Sequence, residues 1–353
     1  MRILDGFSAA SISEAATSLS DGALVGIPTE TVYGLAADAS NDAAVAKVFD
    51  VKGRPRFNPL IIHVRSIEHA RQYVGFSPLA QALASEFWPG PLTLILDRKK
   101  DAAISNLASA GLNTLAVRVS SHPVMQSLMN AFEGPVAAPS ANPSGSISPT
   151  RAEHVRDGLG AHIGLILDGG PCLVGLESTI VSITNDSVQI LRPGGISAAA
   201  IAEVIGVDET SFEKSASSVA SAPVKFAAAP SPSANVIAPG MLKSHYAPTA
   251  PLRINISDPE SDEVYLSFGG CPTNHSNTLS LSDEGSDKEA AANLFVCLRL
   301  ADTLCLERKL CGIAVAPIPM QGLGEAINDR LQRAAAPRGF DPIDARLNDN
   351  QVK

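Results

Sequence analysis

Nowhere in the 353 residues does an apolar run approach the ~20 residues that a helix needs to cross a bilayer, so no membrane span is expected. Cysteine is sparse and poorly spaced for structure. Cys172, Cys271, Cys297, Cys305 and Cys311 form an odd set without a Cys-x-x-Cys pair, which argues against a zinc site or disulfide framework and for free thiols in a reducing compartment. The N-terminus brings Asp5 early and has no continuous apolar core, so no secretory signal is read there and a cytoplasmic location is expected. Positive charge is not in excess. The net charge of −9 divides into −4 over residues 1–205 and −5 over 206–353, so neither half is a basic module for charge-driven binding of DNA or another polyanion. Several familiar catalytic signatures are also missing: Gly-x-x-x-x-Gly-Lys, a Gly-x-Gly-x-x-Gly opening a helix, His-Glu-x-x-His and Gly-x-Ser-x-Gly.

What is present is an interleaved α/β pattern on a chain long enough for two domains. Strands are expected at Gly22 to Ile27, Leu60 to Val64, Leu92 to Leu96, Thr114 to Val119, Pro135 to Pro139 and Ile163 to Leu167, with a hairpin from Ser178 to Leu191. Helices are expected over about 7–20, 42–49, 78–87, 123–132 and 198–205, with another launched by a Thr150/Glu153 capping box. Trp88, at a helix end, reads as a core plug, and residues 98–110 as an exposed loop whose Arg98, Lys99 and Lys100 are solvated. The interleaving implies helices over a sheet, and the hairpin makes that sheet mixed. From Ser215 to Ala238 the chain is rich in Ser, Ala and Pro and reads as a linker. A smaller α/β domain follows, with strands at Pro251 to Ile256, Val264 to Phe268 and Gly312 to Ala316, a long helix from Asp287 to Lys309 and another from Gly324 to Ala336. The expected division is 1–206, a linker with a lid-like segment over 207–248, and 249–353.

The densest chemistry lies between Gly26 and Val64. Lys52, Arg54 and Arg56 crowd a segment that Gly53, Pro55 and Pro59 keep irregular, with Asn58 beside them, Thr29 and Thr31 before and His63 after. Such a loop is either a solvated turn or a grip for phosphate or carboxylate. Arg118 stands inside an otherwise apolar strand and needs an anionic partner, either an internal Asp or Glu or a substrate carboxylate. Ser140 to Pro149 alternates small hydroxyl and amide side chains with turn formers, which suits a loop whose backbone approaches a ligand.

The motifs PTETVYGLAADA, VKGRPRFNPLIIHV, PSANPSG, GLESTIV and LRPGG, in that order, resemble the YrdC-type L-threonylcarbamoyladenylate synthases, and the later SHYAP segment resembles the long, two-domain form of that family. The resemblance covers residues 22–196 and 239–248 strongly. It implies an open, twisted mixed α/β sheet with a concave cavity, and synthesis of threonylcarbamoyl-AMP from L-threonine, bicarbonate or CO2, and ATP with loss of pyrophosphate. A partner transferase would then carry the threonylcarbamoyl group to adenosine 37 of tRNA. By the same resemblance Thr31, His63, Arg118, Ala138 and Ser178 hold threonine. Lys52, Arg54, Asn58, Thr114, Ser140, Asn142, Ser148, Arg192 and Tyr246 hold the nucleotide, with Lys52 and Arg54 acting in the transfer. Mg2+ is expected to ride on the ATP phosphates, since no carboxylate cluster marks a protein-held metal site. The Tyr246 segment is expected to act as a lid. The alternative kept beside this is a YrdC-like RNA-binding module without turnover, which the acidic balance disfavours.

Overall fold

The computed structural model describes residues 1–184, 187–207, 225–226, 238–239, 244–270 and 275–337. Most of the expected linker, residues 240–243 of the lid-like segment, and Cys271 therefore lie outside the described residues.

The larger sheet has eleven strands: β1 (Arg2–Asp5), β2 (Val25–Ile27), β3 (Gly34–Asp38), β4 (Ile61–His63), β5 (Leu92–Asp97), β6 (Thr114–Arg118), β7 (Val136–Ala137), β8 (Leu165–Asp168), β9 (Thr179–Thr184), β10 (Ser187–Arg192) and β11 (Lys225–Phe226). Their order is β1-β8-β2-β3-β7-β4-β6-β5-β9-β10-β11, with parallel and antiparallel neighbours, so the sheet is mixed as expected. Helices α1 (Ala9–Ser20), α2 (Asp42–Lys52), α3 (Ile67–Ala70), α4 (Pro78–Phe87), α5 (Pro123–Phe132), α6 (Ala152–Leu159) and α7 (Ala198–Ile205) lie against it.

Strand alternation explains where the sheet is left open. On β4, β6, β5 and β9, Ile62, Leu115, Val117, Leu94 and Val181 point into one large core together with Val45 and Val48 of α2 and Leu83 of α4. Their neighbours Ile61, Ala116, Ile95 and Ile180 face the other way and form only a small apolar cluster with Leu191 and Ala238. Near β2 and β8 that second face is covered by α1 and α5, through Ile12, Leu19, Val124 and Leu128. Over the middle strands it is left uncovered by them, and His63 and Arg118 lie on it.

The second sheet has four parallel strands in the order β12 (Leu252–Arg253), β15 (Gly312–Val315), β13 (Glu263–Phe268), β14 (Thr278–Ser282), with α8 (Asp287–Arg308) and α9 (Leu323–Ala335) packed on it. Its core of Val264, Leu266, Leu294, Leu298, Ile313, Ile327 and Leu331 runs on into Val32, Ile147, Leu176 and Tyr246. The smaller unit is thus seated on loops at the uncovered face of the larger one.

Several local expectations change. Lys52 closes α2 instead of opening a loop, because Gly53 at φ 60° supplies the left-handed cap and moves the helix end to residue 52. β1, β3 and β14 were not anticipated. The alanine-rich GLAAD of β3 carries no strand propensity of its own and is held by pairing with β2 and β7. The capping box is not formed: Arg151 is the N-cap of α6 and makes no side-chain cap, while Thr150 turns its backbone N–H to His154 Nδ1. Arg98 is not a solvated cation. It organises its loop by donating to Asn106 Oδ1, Ser109 Oγ and the carbonyls of Ala102 and Ile104, and the loop buries Ala102, Ile104 and Ala108. Trp88 is buried and donates from Nε1 to Leu92 O at 2.7 Å, as a core plug should.

Candidate active site

The uncovered face forms the floor of a cavity lined by Thr29, Thr31, Val32, Gly34, Arg54, Ile61, His63, Arg118, Ala138, Pro139, Ser140, Glu177, Ser178, Arg192, Pro239, His245 and Tyr246. Its free space is about 50 Å3 in this conformation, room for a few waters and not for a nucleotide. Polar groups gather at two ends of different chemistry.

At the first end Arg118 is buried at the close of β6. Its Nη1 donates to Thr31 Oγ1 at 2.9 Å and its Nε to Gly90 O at 3.2 Å. Its Nη2 lies 2.7 Å from Glu30 Oε1, close enough for an ion pair though not aligned as a directed hydrogen bond. The anionic partner that the strand demanded is therefore the internal Glu30, and the isolated-charge argument for a substrate carboxylate falls away. Burial alone would raise the Glu30 carboxyl, but the Arg118 charge and the Ser120 hydroxyl together bring it down to about 2. Of the five guanidinium N–H groups two remain for a further oxygen. His63, paired in register with Arg118, is held neutral: burial first, then the Arg118 charge, lowers it to about 3, and its Nδ1 is buried without a partner. A neutral imidazole with a free nitrogen, a guanidinium with spare donors and the Thr29/Thr31 hydroxyl pair suit a small zwitterion bearing its own hydroxyl.

The second end is cationic. Arg54 spans its loop, donating to Asn58 O, Asn58 Oδ1 and Pro59 O at 3.1, 2.6 and 2.8 Å. Arg192, at the end of β10, donates to Ser178 O at 2.9 Å and Ser178 Oγ at 3.2 Å. Lys52 reaches under the 140–149 loop, where Nζ donates to the carbonyls of Ser140 and Asn142, each at 2.5 Å. Among the described residues none of the three meets a carboxylate at ion-pair distance, although the charges of Glu177 and Asp329 act on Arg192. Burial lowers all three pKa values, Lys52 further by Arg54, and Arg54 to about 9 with Arg192 contributing. Asn58 Nδ2 and Asn142 Oδ1 are buried without partners beside them. Buried cations and amides lacking counter-groups are costly unless an anion completes them, so this end is built for a polyanion.

The structure thus gathers most of the residues singled out from the sequence. Thr31, His63, Arg118, Ala138, Ser178, Arg54, Ser140, Arg192 and Tyr246 line the cavity, while Lys52, Asn58, Asn142 and Ser148 stand one contact behind it. Thr114 is not brought to the wall. It opens β6 opposite Asp97, four residues from Arg118 and so about 13 Å along the strand. Sequence reasoning missed Glu30, Glu177 and His245. Each stands inside a quoted motif, and a glutamate beside the apolar run Ile180–Val181 was the available signal. Among the described residues no group of three or more His, Cys, Asp and Glu gathers, and Glu177, the one carboxylate lining the cavity, is already engaged by Ser148 and Arg330.

Residues 17–194 match a family model described as "Telomere recombination", of the Sua5/YciO/YrdC group, and residues 196–336 match one described as "Threonylcarbamoyl-AMP synthase, C-terminal domain". The chain is 39% identical over 343 residues to the threonylcarbamoyl-AMP synthase of Bacillus subtilis, covering 93% of each. It is 36% identical over 344 residues to that of Pyrococcus abyssi, covering 92% of this chain and 94% of the relative. The crystal structure of P. abyssi Sua5 complexed with L-threonine superposes with a TM-score of 0.79 at 34% identity, covering 95% of this chain and 98% of the other.

Proposed function

This chain belongs to the threonylcarbamoyl-AMP synthase family, and on that premise we propose how its cavity performs the reaction. The enzyme is a nucleotidyltransferase: it joins L-threonine, carried as its N-carboxylated form, to AMP from ATP, the first step of forming N6-threonylcarbamoyladenosine in tRNA. The observation that carries the assignment to this cavity is its polarity. One end holds an ion-paired arginine and a neutral histidine, and the other holds three buried cations that, among the described residues, make no ion pair.

In the reading proposed, threonine places its carboxylate on the two spare Arg118 N–H groups, while His63 Nδ1, Thr31, Ser178 and the Ala138 backbone fix its hydroxyl and amine. ATP enters as its Mg2+ complex, the metal being a part of the substrate and not held by the protein. Arg54, Arg192 and Lys52 take the phosphates, with Asn58, Ser140, Asn142, Ser148 and Tyr246 around them. Dissolved CO2, supplied from bicarbonate, adds to the unprotonated threonine amine, and the proton released goes to solvent or bicarbonate. One carbamate oxygen then attacks the α-phosphorus, the Pα–O bond to the β-phosphate breaks, and pyrophosphate leaves with its electron pair. Nothing in that displacement obliges a side chain to act as base once the carbamate exists. Orientation and charge neutralisation by Arg54, Arg192 and Lys52 supply the catalysis.

Tyr246 supports a lid role. It sits at φ 63°, a strained conformation for a tyrosine, and its segment is pinned by Ala247 N–H to Gly145 O at 2.9 Å. Since about 50 Å3 cannot hold ATP, the wall formed by Pro239, His245 and Tyr246 has to move for the nucleotide to enter and then re-close over a water-labile mixed anhydride. No helix among the described residues is long and apolar enough to cross a membrane. We place the reaction in the cytoplasm, with hand-off of the product to a tRNA threonylcarbamoyl transferase.

The one-carbon unit is tested by supplying 13C-bicarbonate with threonine and ATP and following the adenylate by mass spectrometry. The product is expected to carry the single added mass unit. An adenylated threonine of unlabelled mass would mean that the amino acid's own carboxylate had attacked, and would overturn the carbamate step.

A further inference from the structure

The smaller unit has so far appeared only as a neighbour, yet one of its side chains reaches the cavity wall. Arg330, on the face of α9 that also buries Ile327 and Leu331, is fully buried and crosses between the two units. Its Nε donates to Glu177 Oε2 at 2.9 Å, its Nη1 to Pro193 O at 2.8 Å and to Asp329 Oδ2 at 2.7 Å, and its guanidinium carbon stands 5.4 Å from the centre of the Tyr246 ring. Apart from Asp329 on the same helix, each contact touches a different part of the cationic end. Glu177 lines the cavity and takes the Ser148 hydroxyl on its other oxygen at 2.5 Å. Pro193 follows Arg192 directly, and Tyr246 is the inner face of the lid, stacked from behind on Phe295 of α8 at 5.6 Å.

We propose that Arg330 is a positioning residue for nucleotide binding: through Glu177, Pro193 and Tyr246 it fixes the Ser148 loop, the Arg192 turn and the lid, so the C-terminal unit completes the nucleotide end of the active site. The proposal rests on the function read above. Its charge state agrees with a bracing role. Burial lowers Arg54 and Arg192, outweighing for Arg192 the more distant charges of Glu177 and Asp329, whereas Arg330, in direct contact with both carboxylates, is raised. Arg330 has its carboxylates in place without substrate, although its buried Nη2 makes no hydrogen bond, and what it holds is the geometry of the groups that line the nucleotide end. Arg118 makes no contact with it, and the threonine end is reached only through Ser178, next to Glu177, so the effect falls mainly on the nucleotide.

The experiment is a direct titration of the full chain with ATP and, separately, with threonine, for wild type, R330M, R330K and the paired variant R330M/E177Q, which leaves no buried charge unpaired should R330M alone fail to fold. ATP affinity is expected to fall at least tenfold in R330M and in R330M/E177Q, with threonine affinity within twofold of wild type. R330K, which keeps the charge but not the fork, is expected to fall between. Unchanged ATP affinity in the paired variant would overturn the proposal. So would equal loss of ATP and threonine binding, which marks a structural role. Because binding and not turnover is read, a wild-type enzyme that bound ATP but released no pyrophosphate would sink the functional reading while leaving this comparison intact.

Discussion

R118M is expected to lose threonine-dependent turnover by at least 10²-fold, about 3 kcal/mol of transition-state stabilisation, while its ATP affinity stays within a few-fold of wild type. Two losses combine. The substrate carboxylate loses its charge-assisted donors, and Glu30 is left buried without its cation, which costs about 3–5 kcal/mol of stability. The two are separable by pH. In wild type the Glu30 carboxyl is depressed to about 2, so the stability it brings is fully present above its unfolded value near 4.5 and is lost as pH falls toward 2. In R118M that carboxyl protonates readily, so the stability deficit relative to wild type is largest at neutral pH and shrinks below pH 4.5. The variant E30Q/R118M removes both charges and should recover stability at pH 7 without recovering threonine binding. Calorimetric melting and threonine titration of the three proteins read this directly. Recovery of threonine affinity in E30Q/R118M would show that Arg118 serves only as the counter-ion of Glu30.

The mirror-image result is expected of R54M. Arg54 is buried, feels the Arg192 charge and meets no carboxylate among the described residues, so the fold carries a cation that burial holds down to about 9. Replacing it removes three hydrogen bonds to Asn58 and Pro59 but also relieves that uncompensated charge, so the melting temperature of the free protein should move little. ATP affinity should fall by about 10² or more, because the charge-assisted donors at the phosphates are lost where solvent cannot replace them. ATP then no longer raises the melting temperature as it does for wild type. Threonine binding should stay within twofold. A large drop in the stability of the free protein, with ATP affinity intact, would make Arg54 a strut of its loop and nothing more.

How much of this was legible depends on what each residue's neighbours in sequence reveal. The mixed α/β sheet, the hairpin of β9 and β10, and helix α4 with its Ser77 cap follow from periodicity and local capping chemistry, which short windows contain. β3 was invisible because GLAAD owes its strand form to β2 and β7, pairings that only the folded sheet supplies. The cationic end was readable because Lys52, Arg54 and Asn58 lie on one short stretch whose Gly and Pro advertise an irregular backbone. The Arg118 end was read correctly as a charge in need of a partner, yet the partner could not be chosen. Glu30 and Arg118 are 88 residues apart, and their contact at 2.7 Å is made by the strand order, not by any motif. Arg330 was beyond reach for the same reason: in sequence it is one more charge on a helix with an amphipathic pattern, and its burial appears only when α9 docks on the larger unit. Thr114, carried in by resemblance as a nucleotide contact, lies on the same face of β6 as Ala116 and Arg118 but about 13 Å along the strand, outside a cavity that is itself too small for the nucleotide.

Pyrophosphate release from ATP by the full chain, with threonine and bicarbonate each omitted in turn, tests most directly the claim that one cavity joins the two substrates through a carbamate. Release that requires both is the predicted result. Release in the absence of threonine, or equal release with and without bicarbonate, would contradict it.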